Sequence, residues 1–157
     1  MARRVSPSGS ATRATRANAG ARSGDATARA SPAARAHAAA ELGRVAEAIA
    51  ARFLESHGLE IAMHNFRRRL GEIDLVAREG PVLVIVEVRT RSTQKYGGAA
   101  ASVDWRKRAR IIRAAHLLLR KHAAYAQKRI RFDVIVVFNA LAENPQVQWI
   151  KHAFSEC

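Results

Sequence analysis

From Pro81 to Val86 the chain is apolar at every position. A strand with one wet face alternates polar and apolar side chains, so a run that is apolar on both faces belongs to a central strand covered on both sides. That stretch calls for a layered fold with helices against the sheet, and the neighbouring pattern supplies them. Between residues 39 and 57, Leu42, Val45, Ala46, Ile49 and Phe53 recur at helical spacing, with Gly58 placed to end the helix in a left-handed conformation. Leu59 to Asn65 reads as extended. Residues 71–77 and 81–90 read as two strands joined by a hairpin turn over Arg78, Glu79 and Gly80. Ile111, Ile112, Ala115, Leu118 and Leu119 predict a second amphipathic helix within 103–122, residues 131–138 a buried strand, and 147–152 a short last one. The fold class that follows is α/β, a mixed central sheet flanked by helices.

No large apolar residue occurs between Val5 and Leu42, a region of Ala, Arg, Ser, Thr and Gly. Without apolar area to offset chain entropy, residues 1–38 are expected to form a disordered basic tail, although the Ala-rich part from Ala33 has the composition to join the first helix. The tail reads as a solvated extension or a start site set too far upstream; an Arg-rich targeting peptide and a basic arm for phosphate contacts are the rivals. The domain is expected over 39–157. Its charge is strongly positive even without the tail: 20 basic against 12 acidic residues from Glu41 onward, in a chain of net charge +14. A surplus of that size points to an anionic partner, most often nucleic acid. The longest uncharged apolar run, Pro81–Val86, is far short of the ~18 residues of a membrane-crossing helix. The single cysteine, Cys157, excludes an internal disulfide framework and a cysteine zinc site, so a cytoplasmic location is expected.

Chemistry concentrates in a few acids. In Gly71-Glu-Ile-Asp-Leu-Val76, alternation predicts that Asp74 shares a face with Glu72, opposite Ile73 and Leu75. In Val86-Glu-Val-Arg89 it aligns Glu87 with Arg89. An acid at the end of an apolar central strand is costly unless paired or bound to a metal. Two acids on neighbouring strands suit Mg²⁺, which takes one or two carboxylates and keeps several waters. Glu47, on the flank of the first helix, is placed to serve as a third acid. The plainer alternative is a structural ion pair of Arg89 with Asp74 or Glu87, with no metal and no chemistry.

The run Gly71-Glu-Ile-Asp-Leu-Val-Ala77, then Val86-Glu-Val-Arg-Thr-Arg91, Tyr96-Gly97, the basic helix and Arg131-Phe-Asp-Val-Ile135 closely resembles the YraN-like family of uncharacterised bacterial proteins. The resemblance covers about residues 40–154. It implies a restriction-endonuclease-like fold similar to archaeal Holliday junction resolvases. By position it implies metal-binding acids at Asp74 and Glu87, a helix acid at Glu47, a further ligand in the main-chain carbonyl of Val88, and Mg²⁺ or Mn²⁺ as the metal. The place of the usual lysine falls on Arg89. Arginine keeps the charge and offers a planar fork for phosphate, but with a pKa above ~12 it cannot abstract a proton. A homodimer is a further expectation of the resemblance, with no dimer seam visible in the chain.

Arg67, Arg68, Arg69, Arg89, Arg91, Lys95, Arg106, Lys107, Arg108, Arg110 and Arg113 fall in segments that one sheet brings to a common side, a pattern for tracking phosphates rather than reading bases. Cations in the first turns of the second helix oppose its dipole, a small local cost that phosphate binding would explain. Trp105 is expected to pack at the start of that helix, with stacking on an unpaired base as the alternative. Glu72 reads as an exposed hairpin residue and Asp133 as the partner of a neighbouring arginine; the histidines show no zinc spacing. Three functions follow: a Mg²⁺-dependent endonuclease acting on DNA, branched or single-stranded by the resemblance; an inactive nucleic-acid-binding module; and a basic module for an acidic protein partner.

Overall fold

The computed structural model describes residues 31–92 and 103–156. Residues 1–30 of the expected tail, and Lys95, lie outside them. Helix α1 spans Pro32–Ser56 and so begins seven residues ahead of the boundary expected at 39. Ser31 caps it by accepting a 3.1 Å hydrogen bond from the Ala34 N–H, and Pro32 sits where a helix needs no donor. The alanines that follow have high helix propensity and bury nothing: every side chain from 32 to 41 is exposed. Burial starts with Ala46, Ala50 and Leu54, one turn apart, which let the helix lie close on the sheet while Leu42, Val45, Ile49 and Phe53 pack around them. Gly58, at φ +84°, ends it, and the Leu59 N–H reaches back to the Leu54 carbonyl.

Five strands follow: β1 (Glu60–Arg68), β2 (Gly71–Glu79), β3 (Val82–Arg91), β4 (Arg129–Phe138) and β5 (Gln146–Phe154), in spatial order β1-β2-β3-β4-β5. Strand β1 runs past the expected end at Asn65, so the arginine triplet closes a hairpin in which Arg68 pairs with Gly71. The β2–β3 turn is tighter than expected: Glu79 pairs with Val82, and only Gly80, at φ +57°, and Pro81 lie between. Helix α2 (Trp105–Lys121) and a short 3-10 turn (Ala123–Tyr125) connect β3 to β4. That length of connection allows β3 and β4 to run parallel, whereas all other neighbours are antiparallel. The expected mixed sheet between helices is therefore the observed one.

Strand β3 is covered on both faces. Leu83 and Ile85 join the core beneath α2, with Ile111, Ala114, Ala115 and Leu118. Val84 and Val86 join the core beneath α1. Among the described residues no helix is long and apolar enough to cross a membrane.

Asp133, fully buried in β4, is accounted for by structure. Its carboxylate accepts from Arg131 Nε and Nη2, from Trp149 Nε1 at 3.0 Å and from the His152 N–H at 3.0 Å. His152 takes φ +53° where the β4–β5 register shifts, so this acid pins an irregular strand edge. Arg131 also pairs with Glu79, which joins β4 to β2.

Candidate metal centre and nucleic-acid interface

The β2–β3 ladder runs from Glu79–Val82 to Leu75–Val86 and stops there. At the next position Asp74 uses its side chain instead: Oδ2 accepts the Val88 N–H at 2.8 Å. Alternation breaks at this point. Ile73 packs beneath α2 and Leu75 beneath α1, so the expectation that they share a face opposite Asp74 is corrected. The Asp74 carboxylate thus takes a β3 backbone donor at the position where the β2–β3 ladder ends. Strand β3 keeps its alternation, which sends Glu87 and Arg89 toward α2.

Glu87 is only 6% exposed. Among the described residues its Oε2 is buried without an aligned hydrogen-bond partner, and Lys107 Nζ of α2 lies 3.3 Å away as an ion pair. Burial first, and the neighbouring charge of Asp74 second, push the Glu87 carboxyl up to about 7, with Lys107 offsetting part of the effect. Lys107 also reaches Glu72 Oε1 at 3.2 Å. Burial opposes its charge, yet the carboxylates of Glu87, Asp74 and Glu72 together hold it above the ordinary lysine range. It is therefore an ammonium at neutral pH.

Asp74 and Glu87 are brought together as expected. Glu47 is not grouped with them: its Oε2 accepts from Asn65 Nδ2 at 2.6 Å, tying α1 to β1 at a residue with φ +50°. Among the described residues no three His, Cys, Asp or Glu side chains converge as a metal-holding group. Two carboxylates, one with an orphaned buried oxygen, still fit Mg²⁺, which rarely takes more from a protein. Arg89 is half-buried on the α2 side of β3.

Beside the acids lies a cleft of about 640 Å³ between the β1–β2 hairpin and α2, and Arg67, Arg68, Arg69, Lys107, Arg110 and Arg113 supply its cations. Three of the other expected cations, Arg91, Arg106 and Arg108, lie elsewhere. Arg108 donates to the Val103 carbonyl at 2.7 Å and stacks over Phe154, so it anchors the start of α2. Arg106 lies over the Trp105 ring, and Arg91 borders a different hollow near Asn139. Trp105 does not pack as expected; it is 70% exposed.

Two site residues have roles that the sequence reading did not give them. Lys107 is legible only as one cation among many, since nothing local tells that it meets an acid of another element. Gly71 is the other. A Cβ there would lie 2.3 Å from the Arg110 carbonyl oxygen, so glycine permits the contact of hairpin and α2 that forms the cleft. A glycine opening a strand just before its acids is the one signal that pointed there. Gly71→Ala is expected to lower stability by about 1–3 kcal/mol, read as a shift in denaturation midpoint at unchanged m-value.

Fold and site together define a basic α/β domain whose central strands part around a carboxylate pair, next to an arginine-lined cleft. The chain belongs to Uncharacterised protein family UPF0102, the YraN-like family, whose model matches residues 46–137. A UPF0102 protein of Xanthomonas euvesicatoria pv. vesicatoria is 47% identical over 112 residues, covering 71% of this chain and 89% of its own. Another, from Legionella pneumophila subsp. pneumophila, is 41% identical over 114 residues, covering 73% and 94%.

Proposed function

We propose that the protein binds nucleic acid through the arginine cleft and hydrolyses DNA phosphodiesters with Mg²⁺ or Mn²⁺ held by Asp74 and Glu87. The observation that carries this reading is the orphaned Glu87 oxygen. A buried carboxylate that costs stability, next to a second acid and paired with a lysine that also lines the cleft, has the chemistry of a metal–phosphate site. The antiparallel strands followed by a helical crossover to a parallel strand support the restriction-endonuclease-like fold that the family resemblance implies. The bound metal would supply a Lewis acid and lower the pKa of its water. The chain's own part is positional. Asp74, fixed by the Val88 N–H, and Glu87 would hold the ion, the Val88 carbonyl would be the further ligand implied by the family, and Glu47 would act on it only through water. Arg89 and the cleft cations hold the phosphates.

A second reading, a binding module without catalysis, is favoured by one observation. Neither cation of the site releases a proton readily, Arg89 by its chemistry and Lys107 because the acids hold it charged. The two readings part in a cleavage time course on labelled duplex, single-stranded and four-way-junction DNA with Mg²⁺, Mn²⁺ or chelator. Metal-dependent cutting establishes the nuclease; tight binding with no cutting establishes the module. Binding itself is expected to weaken with log salt, and Arg110→Gln with Arg113→Gln to flatten that slope by about 2 on duplex DNA. An unchanged slope would place the phosphates elsewhere.

A further inference from the structure

We propose that Lys107 is the built-in counter-cation of the acid pair, and that a divalent ion binding at Asp74 and Glu87 drives its ammonium off Glu87 toward the arginine cleft, where it adds a phosphate contact. The inference rests on the metal-centre reading above and goes beyond it by coupling the two sites.

The geometry is that of a side chain shared between two places. Lys107 Nζ lies 3.3 Å from the inward Glu87 and 3.2 Å from Glu72, whose half-exposed carboxylate lines the cleft. A flexible stem lets one ammonium serve either acid. The contact with Glu87 is an ion pair in which Oε2 accepts no well-aligned hydrogen bond, so charge carries most of it. Mg²⁺ approaches a carboxylate oxygen to about 2.1 Å with twice the charge, and therefore wins that oxygen. An ammonium left on the same atom would sit within roughly 5 Å of the dication, and like charges at that distance repel. Released from Glu87, Lys107 keeps Glu72 as its anchor on the cleft wall. Glu72 is already approached by Arg67 Nε at 3.8 Å, so a phosphate entering among these cations gains the freed ammonium. By linkage the effect is reciprocal: bound nucleic acid draws Lys107 outward and raises affinity for the metal.

The test is Mn²⁺ binding, followed by electron paramagnetic resonance, on the full chain and on its Lys107→Met, Lys107→Arg and Glu87→Gln variants. Duplex-DNA affinity is measured alongside across salt, with and without Ca²⁺. Lys107→Met should bind Mn²⁺ about tenfold tighter than the wild type, and Lys107→Arg no tighter, because the competing charge is what matters. Saturating Ca²⁺ should steepen the wild-type salt slope by about 0.9, one further phosphate, and leave that of Lys107→Met unchanged. Mn²⁺ binding that is equal in Lys107→Met and wild type, yet lost in Glu87→Gln, would overturn the inference and leave the metal centre standing. Mn²⁺ binding that survives Glu87→Gln would overturn the metal centre and this inference together.

Discussion

Glu87→Ala should abolish metal-dependent DNA cleavage, lowering it on the order of 10³-fold or more, while DNA binding in chelator persists and gains up to one phosphate contact from the freed Lys107. The two effects separate because the residue has no structural duty. Among the described residues its Oε2 accepts no aligned hydrogen bond, its neighbours are Lys107 and Asp74, and it does not line the cleft. Removing it frees Lys107 for phosphate and deprives a metal of one of its two carboxylates. Equal cleavage by the variant would mean that the activity lies in another site or another protein.

The same residue should make the fold more stable in acid than in mild base, unlike most carboxylates. The Glu87 carboxyl titrates at about 7 in the folded protein, against the ordinary value of 4.5. Below pH 4.5 both folded and unfolded chains hold the proton, and the group contributes no pH dependence. Between 4.5 and 7 the folded chain binds the proton more tightly than the unfolded one, so stability falls as pH rises, and above 7 the loss is complete. A shift of this size corresponds to about 3 kcal/mol, with the approach of Lys107 already included. Glu87→Gln, which keeps the shape and cannot ionise, should therefore melt about 10 °C higher than the wild type at pH 8 and within a few degrees of it at pH 4. Divalent metal should stabilise the wild type at pH 8 and not the variant. Parallel melting curves at both pH values would show that Glu87 is not the strained group.

The layered sheet was legible because its signals are local: unbroken apolarity in β3, helical spacing in both helices, glycine at the turns. The first turns of α1 were legible from Ala33 only as a composition able to join the helix, since residues 32–41 bury nothing and a periodicity reading has nothing to count. Ser31-Pro32 before an alanine-rich run was the available cue. The extension of β1 to Arg68 was hidden by three consecutive arginines, which suit an edge hairpin and no core. The acid pair was legible by alternation and family resemblance, but the reason that it is open was not. The hydrogen bond of Asp74 depends on a backbone group fourteen residues away, and the partners of Lys107 lie on β2 and β3. Such contacts are created by the tertiary fold, and no spacing within one segment reports them.

The acids of this site carry unequal histories in prospect. Asp74 closes the gap between β2 and β3 by holding the Val88 N–H, so selection for folding alone retains it, whether or not any chemistry remains. Glu87 weakens the fold and is kept only while something rewards its presence. If the proposed metal site is that reward, relatives without it should let the position of Glu87 drift to neutral residues within few substitutions, while that of Asp74 stays acidic as a relic of architecture.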